Sequence, residues 1–124
     1  MSGANGFTGL KTVPENADIF ASQEFSPNSS DSMSVSLQVD TTLMTDKTSP
    51  NYTVMGSNIS GNVADMVPVK DEFGVSGPLA VGAPWVKNSF PFKYIGIQYT
   101  ANGNIGAGTF FMTYVQKVTR VNLV

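Results

Sequence analysis

The chain has no cysteine and no histidine. Without thiols there is no disulfide framework and no thiolate metal site. Their absence suits folding in a reducing cytoplasm. Without imidazole, acid–base and nucleophilic chemistry near neutrality falls to carboxylates and lysines. Charge is sparse: 13% of the 124 residues are charged, the net charge is −2, and the seven Lys and Arg are spread singly. A nucleic-acid binder needs a basic face to displace counterions, so that class is disfavoured. No apolar run is long enough to span a bilayer. The opening MSGANGFTGLKTVPEN carries no apolar h-region. The expectation is therefore a protein made in the cytosol, with no signal peptide and no membrane partner.

Ser, Thr, Asn and Gly fill the space that charge leaves, and Gly and Pro recur along the length. Helices have little room in such a chain, and its length suits one domain. Residues 33–39 (MSVSLQV) alternate at period two. Met33, Val35, Leu37 and Val39 should face a core, with Ser34, Ser36 and Gln38 in water. Further strands are expected at 18–25 and 52–57, in the extended stretch 63–69 that Pro68 demotes to an edge, and briefly at 79–81. Turn chemistry separates them, as in SPNSSDS (26–32) and NISGN (58–62).

Residues 92–118 read FKYIGIQYT, ANGNIGAG and TFFMTYVQKV. Two aromatic, β-branched runs around an Asn-Gly loop predict a long antiparallel hairpin. On its first strand Ile95, Ile97 and Tyr99 share one face, and Phe92, Tyr94, Gly96 and Gln98 the other. On its second, Phe110, Met112 and Tyr114 alternate with Phe111, Thr113 and Val115. Both faces hold apolar residues, so the outer one should be covered by another subunit or by an arm. Gly96 inside a strand predicts a bulge or a close approach of neighbouring atoms. The fold expected is all-β: one antiparallel β-sandwich, jelly-roll-like, of six to eight strands over residues 18–124. Residues 1–17 are expected to form an extended N-terminal arm.

No constellation for catalysis emerges. In KDEF (70–73), Asp71 and Glu72 would point to opposite faces if extended, and the run reads as a solvated turn. Asp40, Asp46 and Asp65 lack the dense spacing of a calcium loop. GNIGAG (103–108) joins strands and is not followed by Lys and Ser/Thr, unlike a phosphate loop. The sequons at Asn28, Asn51 and Asn58 are read as composition. The six Met are read as adaptable packing. No enzyme activity, metal or cofactor is expected. Trp85 and Tyr94, with Tyr99 and Tyr114, are candidates for an aromatic sugar platform, against the alternative that they pack a core or interface.

The segments IFASQEFSPNSSDS, MSVSLQV, YTVMGSNISGNVADMVPV and FPFKYIGIQYTANGNIGAGTFFMTYVQKV follow one another in an order that resembles the small β-sandwich virion structural proteins of bacteriophages. The likeness covers about residues 19–118. It lies in a Gly-Ser-Asn phrase after a strand, a later Pro-Val, and a closing KYIGIQYT…GTF hairpin. The chain has Met66 where an aromatic is common and Gly96 where a basic residue is common. The resemblance implies a non-enzymatic capsid decoration, cement or minor capsid protein, located in the virion. Its implied partners are the major capsid protein or other virion proteins, and further copies of itself in a homo-oligomer such as a trimer. Phe7, Leu10 and Val13 of the arm, and Phe92, Tyr94, Phe111 and Val115 of the hairpin, are the candidate partner-binding residues. The alternative is a tail, fibre or carbohydrate-binding module that takes a host glycan on Trp85 and Tyr94.

Overall fold

The computed structural model describes residues 5–25 and 32–117, with side chains described over 12–25 and 33–114. Nine strands lie in that range: β1 (Asn5–Val13), β2 (Ile19–Glu24), β3 (Ser32–Asp40), β4 (Asn51–Ser57), β5 (Val67–Pro68), β6 (Leu79–Ala80), β7 (Trp85–Phe90), β8 (Tyr94–Thr100) and β9 (Gly108–Lys117). They form two antiparallel sheets, of order β1-β9-β3-β7 and β2-β8-β4-β5, with β6 also pairing β4. The protein is an all-β sandwich. Except among β4, β5 and β6, each strand is followed by one in the other sheet. That alternation is the winding of a jelly roll.

The expected hairpin is not formed. β8 pairs β2 and β4, whereas β9 pairs β1 and β3. Each strand already has a neighbour on both edges, so they cannot also pair with one another. The Asn-Gly turn is present: Asn102 and Gly103 have φ of 48° and 80°, and Asn104 N–H donates to Ala101 O at 2.9 Å. Residues 105–107 then carry the chain across to the opposite sheet. There Ile105 O accepts a hydrogen bond from Thr45 N–H at 2.9 Å.

Residues Asn5–Val13 of the expected arm form a strand. β1 runs antiparallel to β9, from Asn5 opposite Val115 to Val13 opposite Gly108, with a register break between Thr8 and Lys11. Gly6, Gly9 and Lys11 interrupt the alternation that would have marked it. Residues 85–90, which carry no clear strand signature, form β7 at the other edge of the same sheet.

The interior is filled by the alternate residues of both sheets. Met33, Val35, Leu37 and Val39 are all buried, and Ser36 and Gln38 are exposed. Trp85, Tyr52, Tyr99, Phe25 and Phe110 are the largest fully buried side chains. Phe110 meets Tyr52 and Tyr99 edge-on, with centroids 5.5 and 6.1 Å apart. Phe90 does the same with Phe25 and Trp85, at 5.7 and 6.1 Å. Each such side chain contributes roughly 1.5–3 kcal/mol through burial.

Candidate functional site

The surface is built from three regions. One end of the sandwich carries the β1–β2, β3–β4 and β8–β9 connections. They are tied together by Ala101 N–H to Asp18 Oδ1 (2.9 Å) and Asn102 Nδ2 to Ser49 O (3.0 Å). The opposite end joins the β4–β5 and β7–β8 connections, through Lys93 N–H to Asn58 Oδ1 (3.0 Å). The third region is the loop before β6, which runs beside the β7 edge. Glu72 N–H donates to Val86 O at 2.7 Å, and Asn88 N–H donates to Glu72 Oε1 at 2.8 Å.

The sequence-predicted partner residues do not come together. Tyr94 lies on the outer face of the β2-β8-β4-β5 sheet, half-buried, with Lys93 Nζ 5.7 Å from its ring centroid. Phe92 precedes β8 and packs against the core, edge-on to Phe90 at 5.9 Å. Phe111 sits half-buried on the outside of the opposite sheet, across from Gln38. One apolar hairpin face made of these residues does not exist, because the strands that carry them belong to different sheets. Val13 is fully buried in the core, so it serves the fold and cannot anchor a partner. The side chains of Phe7, Leu10 and Val115 lie outside the described residues.

The sugar platform is corrected as well. Trp85 is 0% exposed and Tyr99 is fully buried, so neither presents a ring face to a glycan. Tyr114 packs on Phe25 with centroids 5.1 Å apart. Tyr94 is left without a second exposed ring from that set beside it.

Part of the outer face of the β8 sheet, around Gly96, is covered by the same chain. After a 3-10 turn at Val63–Asp65, Met66 folds down onto Gly96 beside Phe20. A Cβ at Gly96 would collide with Met66 Sδ and stand 2.9 Å from Phe20 Cζ. The close approach expected at Gly96 is therefore real. Pairing continues unbroken past it on both sides, so there is no bulge. Met55 and Met66 are consequently buried on that outer face.

Asp71 and Glu72 act as turn-formers. The buried Asp71 carboxylate accepts from Phe73 N–H and Val75 N–H, both at 2.9 Å, and Asp71 N–H donates to Val75 O at 2.8 Å. This closed turn displays Phe73 at 83% exposure. Leu43 and Ile105 stand exposed at the first end, and Ile59 at the other. Sequence reasoning missed these four. Their signal was an apolar residue inside turn chemistry, with no partner at period two. Among the described residues no three acidic side chains gather as a metal site. No helix of the described residues is long and apolar enough to cross a membrane. The chain matches no family model, and comparisons with curated proteins and with solved structures gave no match.

Proposed function

We propose that this chain is a non-enzymatic structural protein of a virus particle, binding a major capsid shell as a decoration, cement or minor capsid protein. The observation that carries the reading is the strand order. Two facing sheets wound as β1-β9-β3-β7 and β2-β8-β4-β5 form the double-sheet jelly roll, a fold used by viral capsid proteins, lectins and cupins. The step from fold to role is an analogy. Two features favour the capsid branch over the others. The interior is packed with the side chains of Trp85, Tyr52, Tyr99 and Phe110. The ring that would have anchored a lectin platform, Trp85, is part of that packing. Exposed apolar side chains stand instead on connecting loops, at Leu43, Ile59, Phe73 and Ile105. Many weak contacts of that kind add up on a repetitive shell, because each copy engages several neighbours at once.

Quantitative mass spectrometry of purified particles tests the proposal. The expected result is this chain in a fixed, stoichiometric ratio to the shell subunit. Particles that lack it, or hold only traces that vary between preparations, refute the reading.

A further inference from the structure

The outermost strands are β1 and β7 in one sheet and β2 and β5 in the other. An edge strand offers unpaired N–H and C=O groups to any passing strand. Proteins blunt such edges with proline, charge, a bulge or a covering loop. Every edge here but one is blunted. β5 is only Val67–Pro68, so it is very short and contains a proline. β1 has a register break between Thr8 and Lys11, and Lys11 adds a charge. On β7, Val86 O accepts from Glu72 N–H at 2.7 Å and Asn88 N–H donates to Glu72 Oε1 at 2.8 Å, so a loop lies along that edge.

β2 has none of these devices. It pairs β8 without a break from Ile19 to Glu24, and IFASQE holds no proline and no basic residue. Its one charge, Glu24, stands at the end of the strand and is ion-paired with Lys93 of its own chain at 3.4 Å.

The register says which groups the edge presents. Phe25 N–H donates to Lys93 O at 2.7 Å, one step beyond the Glu24–Tyr94 pair. Hydrogen-bonded pairs alternate along an antiparallel ladder. Ile19, Ala21 and Gln23 therefore direct their N–H and C=O to β8. Phe20, Ser22 and Glu24 direct theirs away from it, and among the described residues no other segment bonds to them.

We infer that two copies of this protein pair antiparallel along β2, about a two-fold axis at Ser22, joining their five-stranded sheets into one. Ser22 then lies opposite Ser22 of the second copy, and Phe20 opposite Glu24. Each of these pairs exchanges both hydrogen bonds, because these are the residues whose backbone groups face outward. Charge selects the same axis. An axis at Glu24 sets two carboxylates directly across from one another, which is unfavourable. An axis at Phe20 places Glu24 beyond the end of the opposing strand, so fewer pairs form. With the axis at Ser22, a small and exposed side chain occupies the centre and the two Glu24 stand at opposite ends. The contact uses one patch on both copies, so it closes as a dimer. It rests on the backbone of β2 and stands apart from the virion role: a protein absent from particles could still pair in this way.

Sedimentation velocity of the purified full chain provides the test. Ser22→Pro removes an outward N–H and leaves the pairing with β8 intact, a position where an edge strand accepts proline. It should melt like the wild type in dilute solution and dimerise at least about thirtyfold more weakly. Ser22→Lys and Ser22→Asp check the axis without altering the backbone. Each alone sets like charges across the two-fold and should dimerise more weakly than the wild type, whereas the two mixed should form a 1:1 heterodimer. A wild type that stays monomeric up to roughly 1 mM, or that forms trimers, overturns the inference. So does a Ser22→Pro variant that dimerises like the wild type, or a Lys and Asp mixture that pairs no better than either variant alone.

Discussion

Replacing Gly106 by alanine should destabilise the protein far more than the same change three residues earlier, at Gly103. Both glycines have positive φ, 95° and 80°, so both variants carry the penalty of an L-residue in that region, about 1–2 kcal/mol. They differ in what surrounds the new methyl group. At Gly103 nothing lies within 4 Å. At Gly106 the methyl would collide with the carbonyl oxygen of Leu43 and stand 3.0 Å from Met44 Cα and 3.1 Å from the Leu43 carbonyl carbon. These are backbone atoms of the β3–β4 loop, and they cannot turn aside as a side chain would. That loop is fixed by Thr45 N–H to Ile105 O, Met44 N–H to Thr41 O and Asn102 Nδ2 to Ser49 O.

Overpacking of this kind costs about 1–3 kcal/mol. Gly106→Ala should therefore lose about 3 kcal/mol in all, and Gly103→Ala about 1 kcal/mol. For a domain of this length the losses correspond to falls in melting temperature of about 12 °C and about 4 °C. Urea unfolding followed by circular dichroism measures both, with an unchanged m-value showing that the unfolded state is the same. If the two variants agree within about 0.5 kcal/mol, the β8–β9 crossing is not packed against the β3–β4 loop as described, and the reasoning fails.

Tyr52 is buried, its hydroxyl donates to Ala83 O at 2.5 Å, and its pKa is pushed well above the ordinary tyrosine value by burial first and by Asp71 second. A folded pKa raised in this way leaves stability level below about pH 10. Above it, stability falls by about 1.4 kcal/mol per pH unit for each tyrosine kept neutral. Urea titrations at pH 9 and 11 should differ accordingly, and equal stabilities would refute the burial. Asp71→Ala should lose about 2 kcal/mol by orphaning two backbone N–H groups, with faster hydrogen exchange at Phe73 and Val75. An unchanged exchange rate there would mean the turn is held by something else. Val13→Ala should destabilise the protein by about 2 kcal/mol through the cavity it leaves, read as a lower melting temperature. A variant that melts like the wild type would return Val13 to the surface. The fluorescence of Trp85 should resist quenching by iodide until the chain unfolds, and easy quenching of the native protein would reopen the glycan reading.

Side-chain direction was legible in the sequence, and strand partnership was not. Alternation along β3 names its four buried residues, and the inward sets Ile95, Ile97, Tyr99 and Phe110, Met112 of β8 and β9 follow in the same way, whereas Phe92, expected on the outer face, packs against the core. Period two, however, reports only the face on which a residue lies. It is silent about the neighbour across the hydrogen bonds, since an inward Ile97 looks the same beside β9 as beside β2. The Asn-Gly turn invited the nearest partner, yet a turn only reverses the chain. Whether the next strand pairs or crosses depends on which edges are free. In this fold both edges of β8 and of β9 are taken by strands distant in sequence. β1 escaped notice for a related reason. An edge strand with Gly6, Gly9 and Lys11 has no clean apolar rhythm, and only its partner β9 reveals it.

The same distinction relocates the binding surface. Apolar residues on the outer sides of β8 and β9 looked like a surplus awaiting a neighbouring subunit or the N-terminal arm. Part of that surplus is used internally, because Gly96 lets Met66 and Phe20 lie flat on the sheet and Met55 is buried among them. Met66 and Gly96 are thus in contact with one another. Removing one without the other should be felt at once: Met66→Ala uncovers Met55 and Gly96, whereas Gly96→Ala drives Met66 off the sheet. The four most exposed large apolar side chains are carried by loops, at Leu43, Ile59, Phe73 and Ile105. Loop positions are weakly constrained by the core and can be set by function alone. A rigid sandwich with apolar side chains on its loops therefore points to recognition at its ends and along the β7 edge.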